Sequence, residues 1–518
     1  MPATTTPAPL FIHPSDLAQQ SVIRLPLPIV EGNCDYLQRE AELRRMDEVL
    51  IRSGIEDACI AHHIAAVRSA AGVAAKPLSD RRRATIQHQA RQGLRCAVAR
   101  ILSNESHRSF SCHLAESALL QWFCGIRFDG IVRVPSKSTL QRMEAEVPAG
   151  VLQELNVLLL RRSTETDSDG ASTLGLVEAV DLSLLWMDAT CAKLDIHYPT
   201  DWILLRDATR TIIKAIITIR SHGLKHRMPA PERFIAQMNA QCMAMSGASR
   251  RGRDGSGGER TKKKARKATL RSMKEIVGSV RKHGQRYRDL LASSWRETDL
   301  SERETQRIIE RIDGVITQLP DAIRQAHEHI IGERVVPNAE KTLSLYQPHA
   351  QVYVRGKSGA DAEFGLQMLL SESAEGLIID CHLLPDITSD SALLMPAIER
   401  MRQRFGDQVA GTVVTDRGFS SAANDAALAA ASISNMTLPR NPERMRQRLQ
   451  DPTVQKLQKR RAQTEARIGI FKANFLGDHL PTKNWQAQER FVAWATLAHN
   501  LWVLARQEQA AKPLAQAG

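Results

Sequence analysis

One strand-forming run stands apart in this chain, and it constrains the fold more than any other feature. Residues LVEAVDLSLLWMDAT (176–190) have strand character and end on an acid, with helical periodicity on both sides. A lone strand cannot satisfy its own backbone donors and acceptors. The next strand-like segments, QVYVRG, FGLQMLLSE and GLIIDCHLL, begin only near Ala350. After them TSDSALLMPAIERMRQRFG reads as a helix, GTVVTDRG as a short buried strand, SSAANDAALAAA as a helix and ISNMTLP as a strand. The sheet is therefore expected to begin near Gly175, to be interrupted by a long helical insertion, and to resume near residue 346. Such alternation indicates an α/β domain with a mixed sheet and flanking helices.

The remaining segments fall around that sheet. Residues 1–35, rich in Pro and Thr, read as an irregular arm. Residues 36–162 read as an all-α domain, with apolar positions three and four apart in REAELRRMDEVLIRSG and AESALLQWFCGIRF. The polar run STETDSDGAST marks a boundary. The sheet domain is assigned to 175–204 and 346–507, the helical insertion to 205–345 and a tail to 508–518. Pro442 to Phe475 reads as a long helix with a break near Pro452, and QERFVAWATLAHNLWVLAR as the closing helix.

Charge is distributed unevenly. The 518 residues carry 70 Lys and Arg against 57 Asp and Glu, a formal charge of +13. Residues 248–287 alone hold 14 Lys and Arg against three acids, which is nearly the whole excess. Within them, SRRGRDGSGGERTKKKARK is rich in Gly and Ser and has no apolar residue larger than Ala265, so 248–268 is expected to be a flexible basic loop. Such a segment suits a polyanion, because each neutralised phosphate releases counterions; a solvated linker gives the same composition. No run approaches the ~18 apolar residues of a membrane span, and the N-terminus lacks the pattern of a signal peptide. Eight scattered cysteines without a C-x-x-C pair argue against a structural zinc site or a disulfide framework. A cytoplasmic protein without a membrane partner is expected.

Three acids occupy informative places. Asp188 ends the strand in LLWMDAT, Asp416 ends another in TVVTDRGF, and Glu465 lies within the helix of QKRRAQTEARIGIFK. In open α/β sheets functional groups gather where strands end. Two such acids and a third from a packed helix can hold two divalent cations that activate the attacking oxygen and stabilise the leaving oxygen of a phosphodiester. Magnesium suits hard oxygen ligands. Taken singly, each acid is as readily a helix cap or a solvated side chain.

The surroundings of these acids resemble those of bacterial insertion-sequence transposases of the DDE class. MDATCAKLDIHYPTDWILLRDA is similar to a family pattern with DAT or DTT followed by H/K-Y-P-T-D and two leucines. YVRGKSGADAEFGL resembles its R-G-K stretch, TVVTDRGFSS its D-R-G-F/Y-x-S, and TEARIGIFK its E-x-x-I/F-G…K. The resemblance runs from Leu176 to Phe475, extends less specifically to LAESALLQWFCGIRFDG and VPSKSTLQRM, and gives no role to the basic insertion.

What the resemblance implies is a ribonuclease-H-like catalytic domain in which Asp188, Asp416 and Glu465 are the catalytic, metal-holding residues. The cofactor would be two Mg2+ ions, with Mn2+ able to substitute. The partners would be double-stranded DNA, as terminal inverted repeats and target, and a second copy of the chain, in the bacterial cytoplasm at the nucleoid. Water would release a 3′-OH at the element end, and that hydroxyl would attack target DNA. Lys472, two helical turns beyond Glu465, and Arg417 can contact phosphates near the scissile bond. Arg355 and Lys357, flanking Gly356 in a loop, are further candidate DNA contacts, and so are Lys262, Lys263, Lys264, Arg266 and Lys267. His197, Tyr198 and Asp201 can line the site or serve packing. A helix-turn-helix is a reading of AESALLQWFCGIRF and VPSKSTLQRM, with Ser136 or Ser138 as cap and Lys137, Ser138, Thr139 and Gln141 facing DNA. Trp186, Trp494 and Trp502 read as core. Two other classes compete: a transposase-derived DNA-binding protein without catalysis, and an unrelated paired-carboxylate hydrolase such as a glycosidase, which the 4% aromatic content disfavours.

Overall fold

Short polar side chains set where most helices begin. In the computed structural model, which describes residues 27–71, 77–127, 131–196, 200–249, 256–357 and 360–508, Asn33 caps α1 (Cys34–Ser53). Gly54, at φ 73°, ends that helix and turns the chain into α2 (Ile55–Ala71). Ser79, Ser106, Ser117 and Ser136 each accept a first-turn N–H and open α3 (Asp80–Leu102), α4 (His107–Glu116), α5 (Ala118–Phe123) and α6 (Lys137–Ala145). Helix α7 (Ala149–Thr164) precedes the first strand, β1 (Leu184–Lys193).

Four helices follow: α8 (Asp201–Ser221), α9 (Pro231–Ser249), α10 (Ser256–Ser294) and α11 (Glu302–His327). Strands β2 (Gln351–Lys357), β3 (Ala360–Glu372) and β4 (Ile378–Leu384) lead to α12 (Asp390–Phe405), β5 (Thr412–Val414), α13 (Ala422–Ala430) and β6 (Ser434–Asn435). The chain closes with α14 (Pro442–Arg448), α15 (Pro452–Ile470), a π-helical turn Phe471–Leu476 and α16 (Trp485–Arg506). Among the described residues six strands form one mixed sheet in the order β2-β3-β1-β5-β6, with β4 also paired to β3. None of the described helices is long and apolar enough to cross a membrane.

The chain divides into two compact units and passes between them within β1 and β3. The first comprises Met1–Ala192, Gln367–Leu384 and Thr388–Gly518. Here β1 runs parallel to β5 and β5 parallel to β6, while the second half of β3 pairs antiparallel with β4. Helix α16 is buried along almost its whole length against α1, α3, α7 and β4. The N-terminal helices and the end of the chain therefore share one core, although a polar run separates them in sequence.

The second unit comprises Lys193–Leu366 and Pro385–Ile387. Its core is the packing of α8, α9, α10 and α11, with β2 antiparallel to the first half of β3. Helix α10 supplies Leu270, Met273, Val277, Val280, Tyr287 and Leu291, a buried stripe at three- and four-residue spacing. Gly284 lies on the same stripe, and a Cβ there would come within 2.7 Å of Ile212 Cγ2, so the crossing with α8 requires glycine.

Two expectations change. The flexible loop at 248–268 is for the most part helix: Ser249 ends α9, residues 256–268 belong to α10, and 250–255 lie outside the described residues. Lys, Arg and Ala are strong helix formers, and the turns they make continue into the apolar stripe that starts at Leu270; Gly and Ser are concentrated ahead of them. The strand carrying Asp188 does not end there either. It runs on to Lys193, because Thr190, Cys191 and Ala192 continue the buried pattern. The break expected near Pro452 is present, with Asp451 capping α15 and Pro452 in its first turn.

Candidate active site

Parallel pairing brings two of the three acids level. The register Trp186↔Val414 places Asp188 and Asp416, each two residues further on, side by side at the point where β1 and β5 part. Asp416 keeps an extended backbone, and its side chain accepts the Gly418 N–H at 2.7 Å. A Cβ at Gly418 would stand 2.8 Å from Asp416 Oδ1 and 2.6 Å from Asp390 Oδ2. The glycine after Asp416–Arg417 is therefore what lets two carboxylates flank one turn. Arg440 braces that turn, donating to the carbonyls of Arg417 and Gly418 at 3.1 and 2.8 Å.

Alternation along β1 puts Trp186, Asp188 and Thr190 on one face. Helix α15 and the turn after it follow that face. Trp186 Nε1 donates to Leu457 O at 3.2 Å, and the Arg460 guanidinium lies 3.6 Å over the indole ring. Lys472 Nζ reaches Thr190 Oγ1 at 3.3 Å. Asp188 sits between these contacts and takes the Ala189 N–H at 2.9 Å. Burial pushes its carboxyl up to about 6; Arg461 opposes the shift, while the charges of Asp416 and Glu465 add to it. The three acids thus share one electrostatic site. Asp390 is also raised, by burial and by Asp416.

The helix that presents Glu465 is fixed by buried polar bonds. Glu372, at the end of β3, is 1% exposed. It accepts from Thr464 Oγ1 at 2.7 Å and from Arg460 at 3.2 Å, with Arg467 3.6 Å away. Gln458 Nε2 donates to the carbonyls of Thr415 and Met436 at 3.2 and 2.6 Å. That contact ties α15 to the residue before Asp416. Glu465 itself is half exposed and pairs with Arg461 at 3.1 Å.

Residues 339–501 match the family model described as the transposase DDE domain. The matched stretch is under a third of the chain, and it supports the resemblance to insertion-sequence DDE transposases. No curated protein and no solved structure matches the chain. The DDE-domain match takes in Asp416 and Glu465; Asp188 lies upstream of it, and parallel pairing of β1 with β5 sets it level with Asp416.

Other expected residues fall in several places. Arg417 is exposed beside Asp416. Arg355 and Lys357 belong to strand β2 rather than to a loop. Lys262, Lys263, Lys264, Arg266 and Lys267 are helical, and Lys263 and Lys267 both pair with Glu333. His197 and Tyr198 lie outside the described residues, while Asp201 is held by Gln325 at 2.7 Å and His329 at 2.6 Å. Ser136 is the cap of α6, and Lys137, Ser138 and Gln141 are exposed on it. Residues 124–136 separate α5 from α6, far more than the three or four of a helix-turn-helix, and α6 packs on α3 and α4. Trp186 and Trp494 are core.

Sequence reasoning missed Arg461, Glu372, Arg460, Gln458 and Asp390. The i,i+4 spacing of Arg461 and Glu465 was a usable signal. The partners of Glu372 are too distant in sequence to have given one.

The donor chemistry of Asp188 and Asp416 suits a hard divalent cation: two level carboxylates, one destabilised by the other's charge. Glu465 does not complete the set as placed. Among the described residues no three His, Cys, Asp or Glu side chains are grouped to hold one ion. Its bond to Arg461 is an exposed i,i+4 pair worth roughly 0.3–0.5 kcal/mol, so exchanging that partner is cheap.

Proposed function

We propose that this protein is a DNA transposase that binds the ends of a mobile element, hydrolyses a phosphodiester there and joins the freed 3′-OH to target DNA. One observation carries the reading. Asp188 and Asp416 stand level on adjacent parallel strands, and a helix bonded to both neighbourhoods adds Glu465 to the same electrostatic site. A ribonuclease-H-like assignment of the sheet belongs to this proposal.

Phosphoryl transfer requires positioning and charge neutralisation more than covalent help from the protein. Divalent metal, with Mg2+ the natural ion, would supply charge neutralisation and activation of the attacking oxygen when held by Asp188, Asp416 and Glu465. The chain's own groups do the rest. Burial and neighbouring acids make Asp188 a reluctant anion that gains from a cation. Lys472, beside Asp188 through Thr190, and Arg417, exposed beside Asp416, are suited to phosphate oxygens. In the first step the bond from water oxygen to phosphorus forms as the bond to the 3′-oxygen breaks. In the second, that 3′-oxygen replaces the bridging oxygen of a target phosphodiester, so one P–O bond is exchanged for another. Pairing two ends calls for at least a dimer in the assembled complex.

Strand cleavage of DNA carrying the element's own ends tests the reading. Mg2+-dependent nicking by the parent, lost in Asp188→Ala, Asp416→Ala and Glu465→Ala, is expected; equal nicking by all three variants refutes the assignment. The Arg461–Glu465 pair favours one second reading, a DNA-binding derivative that no longer cuts. Under that reading the parent binds the ends and never nicks them at any Mg2+ or Mn2+ concentration.

A further inference from the structure

Helix α10 carries its charge in a pattern that a solvated face does not need. Its buried stripe occupies one side. On the opposite side Arg260, Lys264, Arg271, Lys282 and Arg286 are all exposed. At 100° per residue these five fall within a sector of about 80°. Glu275 is the one acid between Arg260 and Arg286 exposed in that row. The neighbouring α11 is an internal control, since its exposed charges are four acids and four bases. Mixed signs suffice to keep a helix in water. The row on α10 is about 39 Å long at 1.5 Å per residue, close to one turn of duplex DNA. No aromatic side chain lies in the row, so it lacks the stacking platforms of a single-strand binder.

We infer that this face of α10 is a ridge that docks the phosphate backbone of duplex DNA without reading its sequence. The inference deepens the transposase reading and rests on it for the identity of the polyanion. It also revises which cations do the work. Lys263 and Lys267 are committed to Glu333, whereas the five ridge residues point away from the bundle core. Phosphate contacts of this kind fix position and supply affinity, and they leave sequence choice to other elements.

The test is binding of the full chain, in EDTA so that nothing is cut, to a duplex lacking the element's end sequence, across a range of salt. Replacing all five residues by Gln preserves helix propensity. The ridge predicts at least about a tenfold loss of affinity near 0.1 M salt and a fall of about 4 to 5 in the slope of log affinity against log salt. The pair Lys263→Gln and Lys267→Gln is predicted to change the slope by less than about 1. Parent-like affinity and slope in the five-residue variant overturn the inference, and so does an equal loss in the paired-lysine control or tighter parent binding to single strands than to duplex. Should the five-residue variant lose its circular dichroism or cooperative melting, Lys264→Gln and Arg271→Gln alone are each expected to lower the slope by about 1, and a parent-like slope in both overturns the ridge. A parent that binds through the ridge but never cuts end DNA refutes the catalytic reading and spares the ridge. A parent that cuts, with a ridge variant bound as tightly, refutes the ridge alone.

Discussion

Helices α10 and α15 are both long, polar and rich in Lys and Arg, yet they are held in opposite ways. Helix α10 is seated by an apolar stripe, and its cations remain outside. Helix α15 buries only Val454, Thr464 and Ile468, and Arg460 and Arg467 turn inward to Glu372 and to the Ala374 carbonyl. Charge on one helix faces outward; charge on the other fixes the helix of a candidate active-site acid in place. Counting basic residues cannot distinguish the two, because the distinction lies in what each side chain meets.

That contrast can be broken experimentally, beginning with the site that α15 serves. Asp188→Ala and Asp416→Ala are each expected to lower metal-dependent strand cleavage on the order of 10³-fold with duplex binding retained, as read by single-turnover nicking beside gel shift. Next comes the polar anchorage. Glu372→Ala leaves Arg460 without its buried partner and is expected to cost about 3–5 kcal/mol in urea denaturation, with cleavage falling as well. A loss under about 1 kcal/mol would mean that α15 is seated by its few apolar contacts after all.

A smaller effect tests the acidic site through pH. Folded Asp188 holds its proton more tightly than the unfolded chain does, with a value of about 6 against 3.8. The cost of ionising it is therefore absent below about pH 4, grows as pH rises through that window and is complete above about pH 6. In metal-free protein, Asp188→Asn should be more stable than the parent by up to about 3 kcal/mol at pH 7.5, with the difference vanishing near pH 4. Thermal melts at both pH values decide it, and an unchanged difference between them would deny the shift. The smallest effect belongs to α10. Lys267→Gln removes one side of an exposed pair with Glu333 and is expected to leave the urea midpoint at the parent value.

The elements that carry the candidate site were largely legible because their signals are local. Asp416 follows a short apolar strand, Glu465 sits in a helix opened by Asp451 and Pro452, and Ser136 begins a helix as its spacing suggested. Errors arose where a local rule met a longer-range one. Gly and Ser ahead of Lys262 suggested a loop, but the stripe from Leu270 extends the helix back through the lysines. Asp188 read as a strand end, yet β1 runs past it to Lys193. Glu372 and Asp390 were invisible for another reason. Their partners, Arg460 and the Asp416 turn, lie far along the chain, and no periodicity encodes such a meeting.

The burial of α16 among α1, α3, α7 and β4 has a consequence for how the protein is made. The helix that completes the core of α1, α3 and α7 leaves the ribosome more than 300 residues after them. Contacts of such long sequence separation form late, after a costly loop closure. Until Arg506 has emerged, α1, α3 and α7 lack the surface they pack against. A product terminated before Trp485 is therefore expected to be removed or to aggregate rather than to accumulate. Synthesis itself would then guard against fragments that hold the first helices without the one that completes their core.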